Sequence, residues 1–180
     1  MDERPALAAP DACICRTVPY GGTRAGYDVG MAGIELKSSA FNDGSFIPRR
    51  YAKEGEDVSP DLTWSGVPDD AAELVLLCED PDAPSGTFVH WLVTGIDPTS
   101  DGVAAGRTPP GGRERRNGYG GTGWGGPNPP AGDRAHRYFF RLFALPEPVS
   151  LPDGATAADV HAAVDERRLA GGTLMGLYQR

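Results

Sequence analysis

Two of the chain's three histidines follow rigid turns. Glu79-Asp80-Pro81-Asp82-Ala83-Pro84 leads to His90-Trp91, and Gly125-Gly126-Pro127-Asn128-Pro129-Pro130 leads to His136-Arg137-Tyr138. Imidazole, carboxylate and phenol on such a frame could hold an anionic oxygen or move a proton near neutral pH. Pro81 and Pro84 fix the backbone of their turn, so Asp80 and Asp82 cannot wander. Asp80 follows Cys78 at strand spacing and falls on a core-facing side, where a carboxylate needs partners. It would orient a histidine, meet a ligand donor, or cap the turn, whereas Asp82 is expected only to cap the turn. His90, between Phe88 and Leu92, would by itself read as a satisfied core residue. The second cluster makes it a pocket candidate, because His136 and Tyr138 stand two apart and share one strand face. His161, among Asp159, Asp165 and Glu166, reads as a surface residue.

Other chemistries fit less well. Two imidazoles and a carboxylate from His90, His136 and Asp80 could bind zinc, but nothing in their spacing demands it, and neither metal nor cofactor is expected. Gly118-Tyr119-Gly120-Gly121-Thr122-Gly123 matches G-x-G-x-x-G only formally. No strong strand leads into it, and Trp124-Gly125-Gly126-Pro127 follows where a helix should begin. Its glycines suit a backbone that wraps closely around a pocket mouth, with Trp124 either shielding that mouth or packing. There is no G-x-S-x-G elbow, P-loop or H-E-x-x-H. Cys78 reads as a small buried hydrophobe and a poor nucleophile, and Cys13 and Cys15 are too close for a good disulfide or closed metal site.

The elements that must position these residues are short strands between turns. Ile34-Glu35-Leu36 begins the core, Phe41 to Gly44 turns, and Ser59 to Trp64 is extended with an edge-tolerant proline. Glu73 to Asp80 reads as a central strand, with Leu74, Leu76, Cys78 and Asp80 on one face and Val75, Leu77 and Glu79 on the other. Strict alternation over Phe88 to Ile96 puts Phe88, His90, Leu92 and Thr94 opposite Val89, Trp91 and Val93. His136 to Leu145 carries His136, Tyr138, Phe140 and Leu142 on one face. Thr156 to Ala170 reads as a helix, capped by Thr156 with Asp159 near its start and stopped by Gly171-Gly172. Thr173 to Tyr178 returns to strand. A β-sandwich with peripheral helices follows.

Composition narrows the partners. The chain has 180 residues, enough for one well-buried core, and its 25 glycines and 17 prolines favour a loop-rich fold. A net charge of −8 argues against nucleic acid and anionic membrane surfaces. Arg113, Arg115 and Arg116 are the one basic cluster, expected in a solvated loop. No apolar run approaches the ~20 residues of a membrane span. Met1-Asp2-Glu3-Arg4 lacks the basic and apolar regions of a signal peptide, so a cytoplasmic protein is expected. Residues 1–32 have little periodicity and read as an extension, draped on the core, used in a dimer contact, or partly disordered.

From Gly33 to Arg180 the chain resembles the phosphatidylethanolamine-binding protein family, in particular its compact bacterial, kinase-inhibitor-like branch. The resemblance rests on ordered pieces: Phe46-Ile47-Pro48, Ser59 to Trp64, Asp80 to Pro84, His90-Trp91, Gly126 to Pro130, His136-Arg137-Tyr138 and Leu177 to Arg180. It implies a Greek-key β-sandwich with one or two peripheral helices over residues 33–180. It also implies a small pocket that accepts phosphate-like or carboxylate groups. By motif position Asp80, His90, His136 and Tyr138 are its polar residues, with Pro84, Gly126 and Pro127 as walls. Asn128 departs from the pattern, standing where many bacterial relatives have cysteine. The function expected first is binding of a small anionic or polar molecule. An enzyme comes second, using Asp80, His90 and His136 for acid–base catalysis such as a cyclisation in natural-product biosynthesis. A regulator of kinases or proteases comes third. The resemblance also admits a homodimer.

Overall fold

The computed structural model describes Met1 and residues 33–180. The expected extension at 1–32, Met1 apart, lies outside the described residues, as do Cys13 and Cys15. Nine strands appear in chain order: β1 (Glu35–Lys37), β2 (Ser45–Phe46), β3 (Leu62–Ser65), β4 (Glu73–Asp80), β5 (Phe88–Ile96), β6 (Gly102–Val103), β7 (Arg113–Glu114), β8 (His136–Leu145) and β9 (Ala170–Tyr178). Among the described residues a single α-helix, α1 (Ala157–Val164), precedes the last strand, and a short 3-10 turn spans Arg49–Tyr51. The strands form a three-stranded sheet, β1-β3-β6, and a six-stranded sheet, β2-β9-β8-β4-β5-β7. The fold is thus mainly β, two sheets and one peripheral helix, as the sequence pattern leads one to expect.

The alternating apolar faces explain the layers. Leu74, Leu76 and Cys78 of β4 join Tyr138, Phe140 and Leu142 of β8 in a core closed by Leu36, Leu62 and Trp64 of the small sheet. Val75 and Leu77, on the other face of β4, pack with Phe143, Val160 and Val164 beneath α1. Every residue of β4 is buried, as expected of a strand covered on both faces. Pro60 stands just before β3, the middle strand of its sheet, where a proline would remove a ladder bond.

Strict alternation fails in β5. Cys78 pairs with Trp91, but Glu79 pairs with Val89, so His90 is an extra residue in the ladder. This β-bulge reverses the phase. Trp91 and Val93 face the inter-sheet core, while Val89 and Leu92 share the helix side. Leu92 therefore does not share a face with His90. A second shift lies between Leu74 and Leu76, opposite Gly95, whose φ of 70° suits glycine.

Two further expectations are corrected. The helix ends at Val164 instead of reaching Ala170, and Gly171-Gly172 lie within β9. The chain is drawn onto β8 as the Leu169 N–H donates to the Ala144 carbonyl. A Cβ on Gly172 would stand 2.3 Å from the Ile34 carbonyl oxygen, so this glycine permits close strand passage and does not stop a helix. The N-terminal expectation holds: Thr156 and Asp159 form a reciprocal capping box. The arginine cluster is not simply a solvated loop, since Arg113 lies in β7 against β5. Arg115 Nη2 donates to the Leu151 carbonyl at 2.8 Å.

Candidate functional site

At the Asp80 end of β4 a cavity of about 200 Å³ opens between the two turns. It is lined by Asp80, Ala83, Pro84, Ser85, Phe88, His90, Tyr119, Asn128, Pro129, Pro130, His136 and Tyr138. Adjacent antiparallel strands bring the polar groups together. β4 ends in Asp80, β8 begins at His136, and the bulge in β5 turns His90 toward Tyr138, with ring centroids 5.1 Å apart. Of the residues expected from sequence, Asp80, Pro84, His90, His136 and Tyr138 line the cavity. Gly126 and Pro127, expected as walls, do not line it, and Asn128, Pro129 and Pro130 form the surface instead.

His136 and Asp80 are a direct buried pair, Nδ1 to Oδ2 at 2.8 Å. The carboxylate accepts, so Nδ1 carries the proton and Nε2 is the free ring atom; the nearest carboxylate to Nε2 is Asp133, at 3.9 Å. The other oxygen of Asp80 accepts from the Asp82 backbone N–H at 2.8 Å. Asp80 thus both orients the histidine and caps its turn. Asp82, expected only to cap, instead reaches across to β8. It takes the Arg137 backbone N–H at 3.0 Å and its guanidinium at 2.8 and 2.7 Å. Those bonds from Arg137 hold the Asp82 carboxyl down at about 2.

His90 is held differently. Its Nδ1 lies 2.6 Å from the Gly125 carbonyl oxygen, which can only accept, so this nitrogen too is protonated. The His90 carbonyl in turn accepts the Gly125 N–H at 2.9 Å. Burial lowers the pKa of His90, against the Gly125 bond and the charges of Asp80 and Asp57. The ring is therefore neutral at neutral pH, with a lone pair on Nε2.

Tyr138 is wholly buried, and its hydroxyl makes no well-formed hydrogen bond, only a weak contact with the Asp80 carboxylate. Burial first, then the Asp80 charge, push its pKa far above the ordinary tyrosine range, so it remains a donor. Burial likewise raises Tyr119 to about 12.

Sequence reasoning missed Asp57 and Tyr119. Asp57 Oδ1 accepts the Gly126 N–H at 2.8 Å, and Tyr119 donates to the Gly126 carbonyl at 3.1 Å. Tyr119 comes from the glycine-rich loop and stands edge-on to Phe88, with centroids 4.7 Å apart, so it is the aromatic at the mouth. Trp124 packs instead: it stacks on Phe140 and donates to the Tyr51 carbonyl at 3.1 Å. The glycines of that loop were a usable signal for Tyr119, whereas the isolated Asp57 offered none. His161 is not a plain surface residue. Its Nε2 lies 3.2 Å from both oxygens of buried Glu79, which also holds Arg141 Nε at 2.6 Å. Cys78 is buried in the core, and burial raises its thiol pKa, as its position in an apolar strand suggests. Among the described residues no three His, Cys, Asp or Glu side chains converge to hold a metal.

A two-layer β-sandwich with an Asp/His/Tyr pocket at one sheet end is the class that fold and site define. The phosphatidylethanolamine-binding protein family matches residues 37–179, and the chain belongs to that family. A UPF0098 protein of Methanothermobacter thermautotrophicus is 45% identical over 152 residues, covering 82% of this chain and 99% of the relative. A Mycobacterium tuberculosis protein carrying the name lipoprotein LppC is 42% identical over 146 residues, covering 81% of this chain and 72% of that one. Among solved structures, Escherichia coli YbcL, described as a member of the mammalian PEBP family, superposes with a TM-score of 0.75. Its identity is 28%, with 83% of this chain and 99% of that one covered. Among the described residues no helix is long and apolar enough to cross a membrane. The mycobacterial name leaves the expected cytoplasmic location resting on the sequence alone.

Proposed function

We propose that this protein binds a small molecule through a phosphate or carboxylate group seated among Asp80, His90, His136 and Tyr138. The observation that carries the reading is the Tyr138 hydroxyl, buried, protonated and without a well-formed hydrogen bond, on a residue of the cavity wall. Such a group asks for an acceptor, and an anionic oxygen is a strong one. At about 200 Å³ the cavity suits a single charged group better than a whole drug-sized ligand. Membership in a family named for binding a phospholipid supports a ligand-binding role.

Each imidazole meets the cavity through Nε2. A neutral ring offers a lone pair there and a protonated ring offers a donor. Affinity for an anion is therefore expected to rise as pH falls, and His90 contributes only below the ordinary histidine range. Titration calorimetry with phosphate and with acetate across pH tests this. Tyr138→Phe, which removes only the hydroxyl, is expected to weaken binding roughly ten- to a hundredfold, the value of one charge-assisted hydrogen bond. His136→Ala is expected to do at least as much. Absence of binding by both anions, or full affinity in both variants, would overturn the reading.

A further inference from the structure

The peptide joining Gly125 to Gly126 is engaged at both ends. Its carbonyl accepts the His90 Nδ1–H at 2.6 Å, and its N–H donates to Asp57 Oδ1 at 2.8 Å. A carboxylate, a peptide and an imidazole thus lie in series, and each hydrogen bond polarises the next. The peptide can neither rotate nor drift. A Cβ on Gly126 would stand 2.4 Å from the Tyr51 carbonyl oxygen, and the Lys53 N–H donates to the Pro127 carbonyl at 3.0 Å. Asp57 is itself in a costly conformation, the one non-glycine residue with positive φ among the described residues, at 55°. Its second oxygen is held by Lys53 Nζ at 2.5 Å. A strained carboxylate clamped on both oxygens is a part with a task.

We propose that Asp57, acting through the Gly125–Gly126 peptide, locks neutral His90 as a hydrogen-bond acceptor toward the pocket, which makes the site selective at neutral pH for oxyanions that still carry a proton. The Nδ1–H tautomer is not the one a free imidazole prefers in water, so something must impose it. With Nδ1 committed, Nε2 presents its lone pair while Tyr138 presents a donor. His90 then calls for an O–H and Tyr138 for an anionic oxygen, so a ligand must offer at least one of each. Phosphate near neutral pH has both. Sulfate has no proton to give, and its oxygen would face the lone pair of His90. The selectivity rests on the anion-binding reading above, whereas the positioning of His90 does not.

The two parts separate experimentally. Nitrogen-15 NMR of the ligand-free protein reads the tautomer directly. His90 is expected to show a protonated Nδ1 and a bare Nε2; the reverse pattern overturns the proposal. Asp57→Gly suits the positive φ and removes the acceptor without strain, and it is expected to shift the ring toward a mixture of tautomers. Asp57→Asn keeps an acceptor oxygen and is expected to restore the wild-type pattern. An unchanged ring in Asp57→Gly overturns the role of Asp57. Calorimetry at pH 7.5 is expected to find phosphate at least about tenfold tighter than sulfate, a margin that shrinks in Asp57→Gly. Equal affinity for the two anions overturns the selectivity. If neither binds, the anion reading fails, and the ring pattern still decides what Asp57 does.

Discussion

The two histidines of the pocket carry the same proton on the same ring atom, by different means. His136 has a carboxylate in direct contact, between the ends of two central strands. His90 has a peptide in contact and a carboxylate one step behind it, and it sits on a bulge. Direct contact ties His136 to the integrity of the sheet, because Asp80 also caps the turn after β4. The indirect route gives His90 a fixed direction without placing a full charge against its ring. Sheet and site are thus coupled on one side of the pocket and partly separable on the other.

The sharpest way to break that contrast is to remove each carboxylate. Asp80→Ala strands a buried N–H on His136 and the Asp82 N–H, and is expected to cost about 3–5 kcal/mol in urea denaturation. Asp57→Ala loses one backbone hydrogen bond and a surface ion pair, and is expected to cost about 1–2 kcal/mol. Equal losses would erase the distinction. Because φ at Asp57 is 55°, Asp57→Gly should recover about 1 kcal/mol of that loss.

pH provides the next test. The folded pKa of His90 lies below its unfolded value. Between the two, the unfolded chain takes up a proton that the folded chain does not, so stability falls as pH is lowered through that window. Urea midpoints measured from pH 7 to pH 5 should show this slope, and His90→Gln should reduce it. Asp82 acts at more acidic pH through a shift in the same direction but of opposite cause, since burial disfavours charged His90 whereas Arg137 favours charged Asp82. Its folded value of about 2 lies below the ordinary 3.8, so the Arg137 pair contributes fully above pH 3.8 and is lost as pH falls toward 2. Asp82→Asn should remove that acid dependence while leaving the His90 slope intact. The smallest effect belongs to the far face of β4. His161→Ala, which frees Glu79 of one of its two partners, is expected to cost about 0.5–1 kcal/mol. It should leave anion binding unchanged.

How much of this was legible follows from which interactions are local. β4 and β8 are long, apolar and regular, so their bounds and faces could be read residue by residue. The Asp80 and His136 ends then had to meet once the strands were neighbours. β5 could be found but not phased, because a bulge is a property of the pair and leaves no mark in one strand's alternation. The helix was overextended since Gly171-Gly172 carries the same signal whether it stops a helix or lets a strand pass Ile34. His161 was misjudged because its acidic neighbours in sequence concealed Glu79, 82 residues away. Asp57 was invisible for a like reason: its partner is the Gly126 N–H, 69 residues on.

The bulge has one more consequence. Val89 already stands opposite Glu79 and Trp91 already stands opposite Cys78. His90 is supernumerary to the sheet, an inserted letter whose removal restores the frame. Deleting the residue outright would leave its neighbours in phase with helix and core, whereas replacing it keeps the kink and loses only the ring. The architecture of β5 is thus complete without its most chemically capable residue, and the sheet can be kept while the pocket is unmade.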